Sequence, residues 1–254
     1  MNPRLKKILS PILSVLFWVG VWELAAWRIG NKLLFPNLCI VLKTLWELLG
    51  TRDFYNATWH SLWNVLSGIL IALAIGILLA VVTYKIPFMR ELALPMITVI
   101  KATPVASFIV LLLIFIGAPK VPSIITFLIV LPVVWTNLDE GLRQQSKQLA
   151  EVARIYKIPF FKKLWIFTIP SVKPFFISAC RTSLGLAWKA GIAAEIIAMP
   201  RGAIGTMIGE ARLYLETEKM FAWTLTVILL SLLIEFGFVS LLNLWDKRTI
   251  KEVA

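Results

Sequence analysis

Apolar residues follow one another along this chain for lengths that a helix lying on a soluble core does not need. Such runs extend from about Ile8 to Ile29, Trp59 to Tyr84, Leu94 to Gly117, Val121 to Leu138, Val172 to Ala198 and Met220 to Trp245, with few charges inside them. The first is about 33 Å long as a helix, which crosses a bilayer and exceeds the apolar core of a signal peptide. Strands of a membrane barrel alternate apolar and polar residues, and these runs do not. The pattern predicts an all-α, polytopic membrane protein with about six transmembrane helices in one domain, residues 1–254.

The intervals between the runs carry their own signals. Leu38, Val41, Leu42, Leu45, Trp46 and Leu49 share helical spacing with Lys43 and Glu47 off that face, which predicts an amphipathic helix on the outer surface. Pro104 after Lys101-Ala-Thr predicts a kink or restart in the third span, and Pro132 predicts an interruption of the fourth. Residues 199–219, with Gly202, Gly205 and Gly209, are expected to be irregular or re-entrant. Trp59 and Trp63 mark the outer end of the second span and Trp135 the inner end of the fourth, as interfacial anchors. Residues 139–170 form the longest polar interval. A helix there carrying Glu151, Arg154 and Lys157 can face water, while Leu164, Trp165, Phe167, Ile169 and Pro170 seat the loop beneath the bundle.

Composition sharpens this picture. The chain is 59% hydrophobic and 16% charged, against about a quarter charged for a soluble domain. Its mean hydropathy is +0.84. The formal net charge of +12 would point to nucleic acid in a soluble protein. In a polytopic one, basic loops set orientation instead, so no nucleic acid is expected. Fifteen lysines and arginines fall on the side that would hold both termini and eight on the other, which puts both termini in the cytoplasm. Cys39 and Cys180 are the two cysteines and His60 the one histidine, too few for a disulfide framework or most zinc sites.

Candidate chemistry lies mainly in the fifth span. Ser178, Arg181, Gly185 and Lys189 fall within an arc of roughly 80° at 100° per residue. A charge inside hydrocarbon costs at least about 2.5 kcal/mol, so this stripe must face protein or water. Either it lines a translocation path for an anionic or strongly polar solute, or Arg181 and Lys189 pair with Glu195, Glu235 or Glu23 and hold helices together. Gly185 and Gly191 read as close-packing positions. Glu23, Glu195 or Glu235 could couple an ion in a secondary transporter or channel, the alternative class; interfacial or paired carboxylates are the plainer reading of Glu23 and Glu195. No phosphate-binding Gly-x-x-x-x-Gly-Lys-Ser/Thr loop and no hydrolase motif occurs, so neither a catalytic residue nor a metal site is assigned.

The stretch from Glu151-Val-Ala153 through Lys157-Ile-Pro159 to Phe167-Thr-Ile169-Pro170 resembles the cytoplasmic loop signature of ABC-importer permeases. That pattern reads Glu-Ala-Ala, three residues, Gly, nine residues, then Ile-x-Leu-Pro, and the spacing here matches throughout. Val152 stands at the first alanine and Lys157 at the glycine; Pro159 can supply the turn. Lys101-Ala-Thr-Pro104, the small-residue run from Gly185 to Glu195, Glu235-Phe-Gly-Phe and Trp245 are similar to the nitrate/sulfonate/taurine branch, and the resemblance covers most of residues 55–250.

The resemblance implies a type I ABC-importer bundle in the bacterial plasma membrane. Two copies of a separate ABC ATPase would supply ATP hydrolysis with Mg, so this chain binds no cofactor itself. An extracytoplasmic solute-binding protein would deliver substrate, and a second permease chain would complete a homodimer surrounded by membrane lipid. Glu151, Ala153, Arg154, Tyr156, Lys157 and Pro159 would form the ATPase-docking element; Ser178, Arg181, Gly185 and Lys189 would line the path.

Overall fold

A computed structural model of the chain describes residues 3–31, 33–145, 151, 153 and 155–253. Its helices are α1 (Pro3–Ile29), α2 (Leu38–Leu49), α3 (Arg52–Lys85), α4 (Pro87–Ala102), α5 (Val105–Ile116), α6 (Val121–Arg143), α7 (Ile169–Ala198), α8 (Ile204–Leu213) and α9 (Thr217–Val253). No strand occurs among the described residues. Of the described helices, α1, α3, α6 and α9 are long and apolar enough to cross a membrane, and α4 with α5 supplies a fifth candidate if the two are joined. The remaining expected crossing, α7, has the length at 30 residues but carries Lys173, Arg181, Lys189 and Glu195.

The core is α3, α6 and α7 packed together. On α3 the buried positions Ala57, Ser61, Val65, Gly68, Ala72, Gly76, Ala80 and Thr83 recur every three or four residues and are nearly all small. On α7 the buried set Ile177, Cys180, Leu184, Ala187, Gly191, Ala194 and Ala198 alternates steps of three and four. Within a membrane, lipid is as apolar as leucine, so helices associate through close packing and small residues let backbones approach. At Gly68 a Cβ would stand 2.4 Å from the Ser123 carbonyl oxygen, and at Gly191 one would stand 2.6 Å from Val65 Cγ2. Gly191 is therefore a packing position.

Several elements differ from the sequence expectation. At Pro104, where a kink or restart was expected, the chain restarts: Thr103 is extended ahead of the proline, which has no N–H to give, and α4 and α5 meet at 102°, an angle the sequence did not show. Pro132 does not interrupt the fourth span: α6 runs through it to Arg143, absorbing Asp139 and Glu140 that the sequence placed in the loop. Trp135 is 3% exposed and donates from Nε1 to Thr83 Oγ1 at 3.0 Å, so it belongs to the core and not to an interfacial belt. Gly205 and Gly209 lie in regular helix; only Gly202, at φ +72°, uses the freedom of glycine.

Helix α2 turns a different face inward. Val41 and Leu45 are buried and the helix packs against α9, while Leu42 and Trp46 point away. Asn37 caps its start by accepting from the Ile40 amide. Glu23 of α1 accepts from the Leu38 amide at 2.8 Å, and Trp22 donates from Nε1 to the Pro36 carbonyl. That use of Glu23 as a second cap ties α1 to α2 and accounts for its carboxylate.

Candidate functional site

The expected docking segment lies at the end of the bundle where α6 stops. Glu151, Ala153 and Ile155 are helical, Tyr156 and Lys157 form a turn, and Arg154 and Val152 lie outside the described residues. Ala153 is buried, whereas Glu151, Tyr156, Lys157 and Pro159 are exposed, as is Ile155. Among the described residues, one small side chain thus anchors the element and Glu151, Ile155, Tyr156, Lys157 and Pro159 face outward. Its end has a specific geometry. The Ile158 amide donates to the Ala153 carbonyl at 3.0 Å, and Lys157 between them sits at φ +46°. A bond spanning five residues over one left-handed residue is the Schellman closure of a helix, in which that residue is usually glycine. Lys157 therefore makes the turn itself, and Pro159 follows it as the acceptor for the Lys163 amide.

Both exits of the loop are fixed to the bundle. Asp139, near the end of α6, is 5% exposed and accepts from Arg90 Nε of α4 at 3.1 Å and from Arg143 Nε at 2.9 Å. A buried carboxylate held by two guanidinium groups clamps α4 to α6 just before the loop. On the return, Leu164–Thr168 forms a wide π turn before α7 begins. Leu164, Phe167 and Ile169 are half-buried there, but Trp165 and Pro170 are exposed, so Trp165 does not seat the loop as expected.

The second candidate is one face of α7. Ser178, Arg181 and Lys189 are exposed in the single chain, Gly185 is half-buried, and a Cβ at Gly185 would meet nothing within 4 Å. The opposite face is the buried stripe that packs on α3 and α6. Gly185 is therefore no packing position within the chain, unlike Gly191. Glu195 and Glu23, proposed pairing partners of the cations, are occupied by other groups.

Glu195 is fully buried, where a boundary position was expected. Ser61 Oγ donates to its Oε2 at 2.6 Å, Asn64 Nδ2 to Oε1 at 3.1 Å and the Gly205 amide to Oε2 at 3.2 Å. Ser61 Oγ also accepts from the Ile204 amide at 2.9 Å, and Asn64 Nδ2 lies 3.2 Å from His60 Nδ1. Ala203, at the N-cap of α8, has no side chain able to accept, so the first free amides of α8 are satisfied from α7 and α3. A carboxylate is also well placed at that end of the helix dipole. Gly205 is what permits the approach: a Cβ there would stand 2.3 Å from Glu195 Cβ.

Sequence reasoning missed this network and the Asp139 clamp. Asp139 and Arg143, four apart on a helix, were a legible pair. Ser61, Asn64 and Gly205 gave no local signal, because they meet Glu195 only through tertiary packing.

An all-α bundle with a polar membrane helix open along one face and a clamped helical loop at one end has the architecture of a membrane permease. The model of the family described as binding-protein-dependent transport system inner membrane component matches residues 72–251. The taurine transport system permease protein TauC of Escherichia coli is 26% identical over 232 residues, covering 89% of this chain and 83% of that protein. The nitrate import permease protein NrtB of Synechococcus elongatus is 26% identical over 220 residues, covering 83% and 78%. The chain belongs to this family of inner-membrane components and is a permease subunit of an ABC importer, of the nitrate/sulfonate/taurine type.

Proposed function

We propose that the exposed face of α7 lines the translocation path and that the solute is a small anion or a strongly polar molecule with an anionic group. The observation that carries this reading is the placement of Arg181 and Lys189: both are cations of a deeply packed helix, and both lie on its one open face. A charge at that depth is tolerated against water or protein and not against hydrocarbon. A second copy of the chain facing this side would enclose the stripe and make a cationic channel. The names of the similar permeases specify taurine and nitrate, one carrying a sulfonate and the other itself an anion, which supports the same chemistry.

In this reading the Glu151–Lys157 element docks a separate ATPase subunit, one per permease chain, which would hydrolyse ATP with Mg as its cofactor. Closure of the two ATPases draws the two loops together. The Asp139 clamp transmits that motion to α4 and α6, and the bundle passes from inward-open to outward-open. A solute-binding protein then delivers substrate at the Glu195 end. In this reading that Arg143 end, with both termini, faces the cytoplasm of a bacterial plasma membrane, which the excess of basic residues on that side supports.

Uptake in vesicles holding the assembled importer tests the path. Arg181→Gln and Lys189→Gln should each assemble normally and lower uptake at least about tenfold, the effect of one lost charge-assisted contact. Normal uptake by both variants would overturn the assignment of this face.

A further inference from the structure

Two adjoining cavities at the loop end of the bundle have no part in the transport reading. One, of about 300 Å³, is lined mainly by Ile77 and Val81 of α3, Leu138 and Leu142 of α6, and Val172 and Phe176 of α7, with the buried Lys173 also on its wall. The other, of about 260 Å³, shares Val81, Leu142 and Thr168 with it and adds Tyr84, Lys85, Gln145 and Lys163. Chemistry changes in one direction along this pair. Aliphatic and aromatic side chains surround Ile77, and two lysines, an amide and a phenol surround Lys85. Along α3 these extremes are about 12 Å apart at 1.5 Å per residue.

Two further observations point to an anionic occupant. Gln145 Nε2 is buried without a hydrogen-bond partner among the described residues. A buried donor left unpaired is costly and rare, so it marks a place for an acceptor. Lys163 forms no ion pair among the described residues, although its neighbours across the cavity include Lys85 and no acid.

We propose that the two cavities are one binding site for an anionic phospholipid, with an acyl chain in the apolar chamber and the phosphate between Lys85 and Lys163. Gln145 donates to a phosphate or ester oxygen. A zwitterionic lipid would bring its own ammonium group against the lysines, and an uncharged apolar molecule would leave the Gln145 amide and the Lys163 ammonium unanswered. The site spans the end of α3, the end of α6 and the π turn through which the loop returns to α7. Lipid bound there would hold that return against the bundle, so the stiffness of the loop would depend on the anionic content of its leaflet. The inference rests on the chain crossing a membrane and is independent of which solute passes along α7.

The test uses the full importer, purified and reconstituted in phosphatidylcholine vesicles with and without phosphatidylglycerol. Native mass spectrometry reads retained lipid, and thermal denaturation reads its effect. Wild type should retain phosphatidylglycerol in preference to phosphatidylcholine and melt at higher temperature when it is present. The double variant Lys85→Gln with Lys163→Gln should bind it about tenfold more weakly or worse, as should Gln145→Leu. Val81→Trp fills the chamber while keeping both lysines and should also lose the lipid; if that variant does not assemble, Ile77→Phe serves the same purpose. Arg201→Gln, outside the site, should retain it. Retention by an assembled chamber-filling variant would mean that surface charge alone attracts the headgroup, and the proposal would fail. Equal retention of phosphatidylcholine, or the same thermal shift with inorganic phosphate alone, would overturn it as well.

Discussion

Ser61 Oγ stands 2.6 Å from Glu195 Oε2 across 134 residues of sequence, and the same hydroxyl accepts from the Ile204 amide. One small side chain on α3 thus joins the acid of α7 to the start of α8. Three donors converge on the carboxylate, which satisfies it without any cation.

Removing one donor should leave the buried charge underbonded. Ser61→Ala should lower stability by about 1–3 kcal/mol. Glu195→Ala should cost more, since it orphans Ser61, Asn64 and the Gly205 amide together. Glu195→Gln should also destabilise despite its matching shape, because its NH2 group would meet a donor. Melting of the purified importer measures all three, and a wild-type melting temperature for Glu195→Ala would refute the capping account.

Glycines divide by what surrounds them. Gly205→Ala would place a methyl 2.3 Å from Glu195 Cβ and 2.7 Å from the Ile196 nitrogen, with backbone on one side that cannot rotate away. Overpacking of this kind costs about 1–3 kcal/mol. Yield and melting temperature should fall for Gly205→Ala and Gly191→Ala, whereas Gly237→Ala and Gly185→Ala, with nothing within 4 Å, should assemble as wild type.

Lys157 holds a left-handed conformation that costs an ordinary L-residue about 1–2 kcal/mol. Lys157→Gly should relieve it, and Lys157→Val should worsen it because the branched Cβ crowds the turn further. Hydrogen exchange at the Ile158 amide reads the closure directly. Slower exchange is expected in the glycine variant and faster in the valine variant; the reverse order would show that another contact fixes the turn.

Docking makes a separate demand. Glu151 and Tyr156 are exposed and contribute little to the bundle itself, so Glu151→Lys and Tyr156→Ala should leave the permease intact. Recovery of the ATPase subunit with the tagged permease should drop about tenfold, consistent with loss of one contact of about 1.4 kcal/mol. Undiminished recovery in both variants would remove this element from the docking surface.

Hydropathy made the helices legible because long apolar runs have few other uses, and the loop spacing made its family legible. The break near Pro104 was also visible, since proline removes a donor wherever it stands. Its angle was not, because 102° depends on where α4 and α5 find packing partners. Pro132 gave the same local signal and no break, as the neighbouring helices bury it. The left-handed Lys157 went unread for a related reason. Its side chain gives no sign of the conformation, and the geometry follows from closing the helix over Ala153.

What the sequence by itself determined is the material and its order: membrane-length helices, a basic bias toward one side, and a polar loop of matched spacing between α6 and α7. Those follow from properties that each residue carries alone, its transfer free energy and its charge. Only the tertiary structure decided which polar residues are buried and by whom they are satisfied. Glu195, Asp139 and Arg181 are all charges near or within helices of one bundle; the first is sealed by three neutral donors, the second clamped by two arginines, and the third left on an open face. The difference is set by contacts between residues far apart in the chain, and a low-dielectric interior makes those contacts decide the cost of every charge.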